Sequence, residues 1–307
     1  MRKTVIKTNM CGAEWSRLVL LSMLWGSAFF LVEIALLSFS PLLLIAVRFS
    51  MATLLVWLIV FAKGYALPRN AAAWLAFLGS GLLNNVIPLI LIVWSQTVIT
   101  AGLAAILTAA TPIIGVALAG LGLRDEPITR PKIAGTTLGL IGVGILVGPA
   151  AWAGLGINLL AQLAVLGAAV SFAFAGVYGR RFGTMGIHPM VAAAGQLLVS
   201  STIMIPLALC FEDIAVLHST RASAWAAVAA LAIFSTALAY VIYFDLLERA
   251  GAVNLLLVNL LLPVTAILLG FIFLDEKLST WQFAGMAVIW LSLAILDGRL
   301  WRRLFLH

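Results

Sequence analysis

The sequence predicts an all-α membrane protein, with ten transmembrane helices in two inverted five-helix repeats and both termini cytoplasmic. Three observations predict it. The 307 residues are 64% hydrophobic and only 9% charged, with a mean hydropathy of +1.17, whereas soluble domains carry about 25% charge. Lys and Arg collect on alternate loops. The second half of the chain repeats the first at offsets of 148 to 151 residues.

Charge-free runs mark the helices in order. A span needs about 20 apolar residues to cross a hydrocarbon core of about 30 Å. Span 1 covers Leu18–Leu37, interrupted only by Glu33, and span 2 covers Leu42–Ala62, interrupted only by Arg48. Spans 3 and 4 are Ala71–Val93 and Val98–Leu123. Ile133 to Gly179 is 47 residues without a charge, enough for two helices broken near Pro149 and Gly154-Leu155-Gly156. Spans 7 to 10 are Pro189–Phe211, Ala222–Phe244, Ala250–Leu274 and Leu278–Leu296. Polar tails flank them at 1–17 and 298–307. The apolar run after Arg17 lacks an A-x-A site and extends to Leu37, so it reads as an uncleaved first helix.

Orientation follows from loop cations. With the N-terminus inside, the inner segments hold Arg2, Lys3, Lys7, Arg17, Lys63, Arg69, Arg124, Arg130, Lys132, Arg180, Arg181, Arg249, Arg299, Arg302 and Arg303. The outer loops hold only Arg221 and Lys277. The net charge of +7 is thereby topology signalling. No basic run exceeds two residues, which argues against nucleic-acid partners. Two cysteines, Cys11 and Cys210, fall on opposite sides of the bilayer. With three histidines and no CxxC, no metal site or cofactor is expected.

The repeat pairs "WLAFLGSGLLNN" with "WAAVAALAIFST", and "AGLAAILTAATP" with "AVNLLLVNLLLP". It also pairs Asp125, Glu126, Ala134 and Gly135 with Asp275, Glu276, Ala284 and Gly285, and Pro41 and Arg48 with Pro189 and Gln196. Units of five spans must enter the membrane in opposite senses, giving halves 18–148 and 156–297. Such inverted repeats place a substrate near the midplane between the halves.

Polar residues within the spans are the candidate cavity lining: Asn84 and Asn85 before Pro88, Thr108 before Pro112, Ser171, Tyr178, Gln196, Ser235, Tyr240, and Asn254 and Asn259 before Pro263. Each taken singly equally fits an interhelical hydrogen bond. Pro88 frees the carbonyl of Asn84 for another donor. Trp25, Phe29 and the tyrosines offer aromatic walls. Glu33 lies seven residues before Ser40 and Arg48 seven after Pro41. A hairpin turning there puts both at one depth, on the order of 10 Å below the outer surface. Three readings stay open for that pair: a structural ion pair, a gate or substrate-orienting pair, and proton coupling through Glu33, with protons the coupling ion.

The segments "LWGSAFFLVEIAL", "SPLLLIAVRF", "AGLAAILTAATPIIGVALAGLGLRDE", "STALAYVIYF" and "NLLLVNLLLPVTAILLGFIFLDEKL" resemble the EamA family of the drug/metabolite transporter superfamily over Leu18 to Leu296. The resemblance implies a central cavity and export of small metabolites by alternating access, in a bacterial plasma membrane. With one cation inside the spans, small neutral, zwitterionic or amphipathic cargo is favoured over phosphorylated cargo. A lipid flippase or scramblase is the rival reading. An intramembrane enzyme lacks a nucleophile, acid pair or metal cluster at depth.

Overall fold

The computed structural model describes residues 10–122, 129–147, 158–273 and 279–296. Among them every regular element is helical. Helix α1 is Gly12–Leu36, α2 Pro41–Ala62 and α3 Ala71–Ser95, the last with a π-helical turn at Leu82–Val86. Helices α4 (Ala101–Thr108), α5 (Thr111–Gly122) and α6 (Arg130–Val147) follow. Then come α7 (Leu159–Gly179), α8 (Pro189–Phe211), α9 (Ala222–Leu256), α10 (Val258–Phe273) and α11 (Thr280–Leu296). Six of these helices are long and apolar enough to cross a membrane, and shorter apolar helices run over Leu103–Leu118 and Thr280–Leu296.

Three expected elements differ from the sequence reading, one of them span 9, which is interrupted at Leu257 between α9 and α10. Span 4 is broken at Ala109–Ala110, because Pro112 cannot donate back into the preceding turn. Thr111 Oγ donates to the freed Thr108 carbonyl at 2.6 Å. The expected boundary between spans 8 and 9 is a sharp bend inside α9, at Gly251, with φ 82° and ψ 171°. Only glycine adopts that backbone without strain. The tails before Met10 and after Leu296, the acidic pairs Asp125-Glu126 and Asp275-Glu276, and Pro149 with Gly154–Gly156 lie outside the described residues.

Packing follows the repeat. α2 lies along α8, and α6 along α11. α1 packs on α10 and the start of α9, as α7 packs on α5 and the end of α3. The α6–α11 contact is close because Gly135 and Gly285, paired in the sequence repeat, both face the other helix. A Cβ at Gly285 would collide with the Leu146 backbone, and one at Gly135 would come within 3.0 Å of the Ser292 carbonyl.

Hydrogen bonds join α2 to α8 along its length. Trp57 Nε1 donates to the Ala194 carbonyl at 3.1 Å. At the far end, Glu212 accepts from the Leu42 N–H at 2.9 Å, from the Leu43 N–H at 2.6 Å, and from the Ser40 hydroxyl. These are N–H groups that the first turn of α2 cannot satisfy internally, and the helix dipole favours the carboxylate there.

Candidate functional site

Two π-helical turns organise the centre. They fall at repeat-equivalent places, Leu82–Val86 in α3 and Ile233–Leu238 in α9. A π turn shifts the hydrogen-bond register and leaves carbonyls for side chains to take. In α3, Ser171 Oγ donates to Leu83 O at 2.6 Å, and Tyr240 Oη donates to Asn84 O at 3.1 Å. Asn84 O is the carbonyl that Pro88 frees. In α9, Ser235 O accepts from Trp25 Nε1 at 3.2 Å and from Arg48 Nη2 at 3.3 Å.

Each half also sends one polar side chain into the other half's π turn. Gln196 of α8, fully buried, accepts from Ser80 Oγ at 2.6 Å and Asn84 Nδ2 at 3.2 Å, and donates to Asn85 Oδ1 at 3.3 Å. Its repeat mate, Arg48 of α2, is 5% exposed and donates from Nε to Thr236 Oγ1 at 2.7 Å.

Beside these turns lies a cavity of about 720 Å³, counting the space at its mouth. Of the sequence candidates it takes Trp25, Phe29, Arg48, Asn84, Thr108, Tyr240, Tyr243 and Asn259 into its wall. Thr108 and Asn259 are repeat equivalents. Trp25, Tyr240 and Tyr243 form an aromatic cluster with ring centroids 5.7 to 6.0 Å apart. From Tyr243 an aromatic chain runs through Phe244, Phe182 and Phe77, each step 5.1 to 5.5 Å. The cavity occupies the end of the bundle away from Arg17, using the later parts of α1 and α3 as far as Val32 and Gln96. At the Arg17 end, Arg17 and Arg249 both pair with Asp245, at 2.9 and 2.8 Å.

The remaining candidates lie off the wall, each for a visible reason. Asn85 donates to Ser200 Oγ at 2.7 Å inside the α3–α8 seam, beside Gln196. Ser171 is spent on Leu83 O. Ser235 turns its hydroxyl to Leu24 O at 2.6 Å, linking α9 to α1. Asn254 holds the bend at Gly251 by donating to Ala250 O at 2.9 Å. Tyr178 sits at the basic end, its ring under the Arg181 guanidinium at 3.5 Å and its hydroxyl on Leu75 O.

The expected Glu33–Arg48 pair does not form. α1 ends at Leu36, so Glu33 is in its last turn, roughly 5 Å from the helix end, while Arg48 is roughly 10 Å inside α2. The two helices also pack on other neighbours more than on each other. Glu33 is exposed, and no hydrogen bond or ion pair reaches it among the described residues.

Sequence reasoning missed Phe172 and Gln96, both in the wall. Gln96 Nε2 donates to Phe29 O at 3.1 Å. Its Oε1 and the Tyr243 hydroxyl are the two buried side-chain polar atoms without a hydrogen-bond partner among the described residues. Gln96 follows the last turn of α3, where a polar residue reads as an ordinary loop boundary, so no sequence signal marked it. Glu212 was missed likewise.

Helices of spanning length closed around a part-polar cavity define a membrane transport protein. The chain belongs to the EamA-like transporter family, whose model matches residues 15–148 and again residues 159–296. It is 28% identical over 281 residues to the "uncharacterized inner membrane transporter YedA" of Escherichia coli strain K12, covering 88% of this chain and 85% of that one. Protein PecM of Dickeya dadantii is 27% identical over 281 residues, at 89% and 88% coverage. The uncharacterized transporter YvbV of Bacillus subtilis is 26% identical over 282 residues, at 92% and 90%. One solved crystal structure superposes with a TM-score of 0.79 at 22% identity, over 96% of this chain and 100% of that chain. At that identity the likeness shows the fold alone.

Proposed function

We propose that this protein is a secondary transporter that exports small metabolites by alternating access of the central cavity. Its halves, 18–148 and 156–297, contribute five transmembrane helices each, inserted in opposite senses, with the tails 1–17 and 298–307 cytoplasmic. The membrane is the bacterial plasma membrane, in keeping with the relative named an inner membrane transporter. The protein is not an enzyme and uses no cofactor.

The observation that carries this reading is the origin of the cavity wall. It draws on α1 to α4 from one half and on α7, α9 and α10 from the other, so rocking one half against the other would open it to alternate sides. Loop cations put the Arg17 end inside. The cavity is then the outward-facing site, closed below by the aromatic chain and the pairs on Asp245. The cargo is a small, largely apolar molecule with few polar groups.

Cells with and without the protein, compared for metabolites in the medium, test the reading. Purified full-length protein in liposomes, with and without a pH gradient, then tests flux and proton coupling. Gradient-dependent movement of a released metabolite is expected. Equal media from both cell lines would overturn the reading, and scrambling of a labelled lipid without metabolite flux would replace it with lipid transport.

A further inference from the structure

The two π turns make an internal comparison. At one, a neutral amide, Gln196, ties α8 to α3 through buried hydrogen bonds with Ser80, Asn84 and Asn85. At the other, the equivalent residue is Arg48, which ties α2 to α9 through Thr236 and Ser235. Holding a helix against a π turn therefore needs only an amide. The arginine adds a positive charge that the structural task does not require. Taking an unpaired charge into a low-dielectric interior is costly. Among the described residues no carboxylate faces it, since Glu33 lies exposed near the end of α1. Unlike Gln196, Arg48 lines the cavity.

Two residues of the same wall, Gln96 and Tyr243, each carry a buried polar atom without a hydrogen-bond partner among the described residues: Gln96 Oε1, which can only accept, and the Tyr243 hydroxyl. Apart from Asn84, Thr108 and Asn259, the rest of the wall is aromatic or aliphatic, with Trp25, Phe29 and Phe172 prominent. Resting on the transporter reading above, we propose that the cargo is an organic monocarboxylate with an apolar or aromatic body and one N–H or O–H donor. Its carboxylate takes the guanidinium N–H groups of Arg48 that Thr236 and Ser235 leave free, in the two-point geometry arginine offers carboxylates. Its donor reaches Gln96 Oε1 or the Tyr243 hydroxyl. A single cation matches a single negative charge, not a pyrophosphate. This narrows the neutral, zwitterionic or amphipathic cargo read from the sequence to an amphipathic anion, since Glu33 does not pair with Arg48 among the described residues.

The test compares media from cells making the wild type, Arg48→Gln, Arg48→Lys or no transporter, with each protein's membrane level measured by blot. The species released only with the wild type are expected to be monocarboxylates. Arg48→Gln, which installs the side chain that stands at the equivalent site, should lower their export at least tenfold at unchanged membrane level. Arg48→Lys should keep part of it. In liposomes, a released carboxylate should compete at least tenfold better than its own primary amide, and Arg48→Gln should erase that difference. Released species without a carboxylate, or carboxylate export unaltered in Arg48→Gln, would overturn the proposal and leave the transporter reading standing. No released species at all would overturn both.

Discussion

Glu33 and Arg48 show what the sequence does and does not reveal about single residues. Both stand out as the lone acid and base of spans 1 and 2. Their pairing depended on where the hairpin turns, and the end of α1 at Leu36 decides that. Exposed and without a partner among the described residues, Glu33 has no lever on the cavity. Glu33→Gln should leave the pH profile of transport unchanged and shift stability by less than about 0.5 kcal/mol, as surface changes do. Flux in liposomes over a range of pH checks it, and a displaced profile would return Glu33 to the coupling role. The pattern of polar and aromatic residues in the spans picked out eight of the wall's side chains. It also picked out Gln196, Asn85 and Ser171, because a seam and a cavity demand the same residue types. Which of them is saturated depends on the facing helix, and no single-strand pattern carries that.

At the scale of elements, the proline rule was legible and its consequence was not. Pro88 announces a free carbonyl at Asn84. That Tyr240, 156 residues away, supplies the donor is tertiary information. Tyr240→Phe should cost about 1 kcal/mol, the usual worth of an interhelical hydrogen bond in a membrane. In a Pro88→Ala background the new N–H competes for the same carbonyl, so the cost should shrink. A double-mutant cycle read by thermal unfolding of the purified protein measures that coupling, and strict additivity would contradict it. The glycine pair of the sequence repeat acquires a physical cause in the α6–α11 seam. Gly285→Val should force the helices apart and cost about 1–3 kcal/mol, as overpacking typically does. The same change at Gly183, which has open space around its would-be Cβ, should leave the melting temperature close to wild type. Equal melting temperatures for the two variants would refute the tight-seam account.

For the whole molecule, the family resemblance rests on particular segments, while hydropathy and repetition delivered the helical membrane class. They did so because the bilayer allows so few ways to satisfy a backbone. The breaks at Ala109–Ala110 and Gly251 were less legible, since an apolar run reads the same through a kink. Orientation still rests on the cation asymmetry of the loops, and the two native cysteines test it directly. Cys11 stands at the start of α1 and Cys210 in the last turn of α8, at opposite ends of the bundle, and both are free and exposed. In intact cells a membrane-impermeant maleimide should modify Cys210 and spare Cys11 until the cells are permeabilised. The variants Cys11→Ser and Cys210→Ser assign each label. The reverse order would invert the molecule and turn the cavity toward the cytoplasm, making the same site the loading state of an exporter. Labelling of both in intact cells would mean that the two helix ends share one side, which an inverted pair of five-helix halves cannot accommodate.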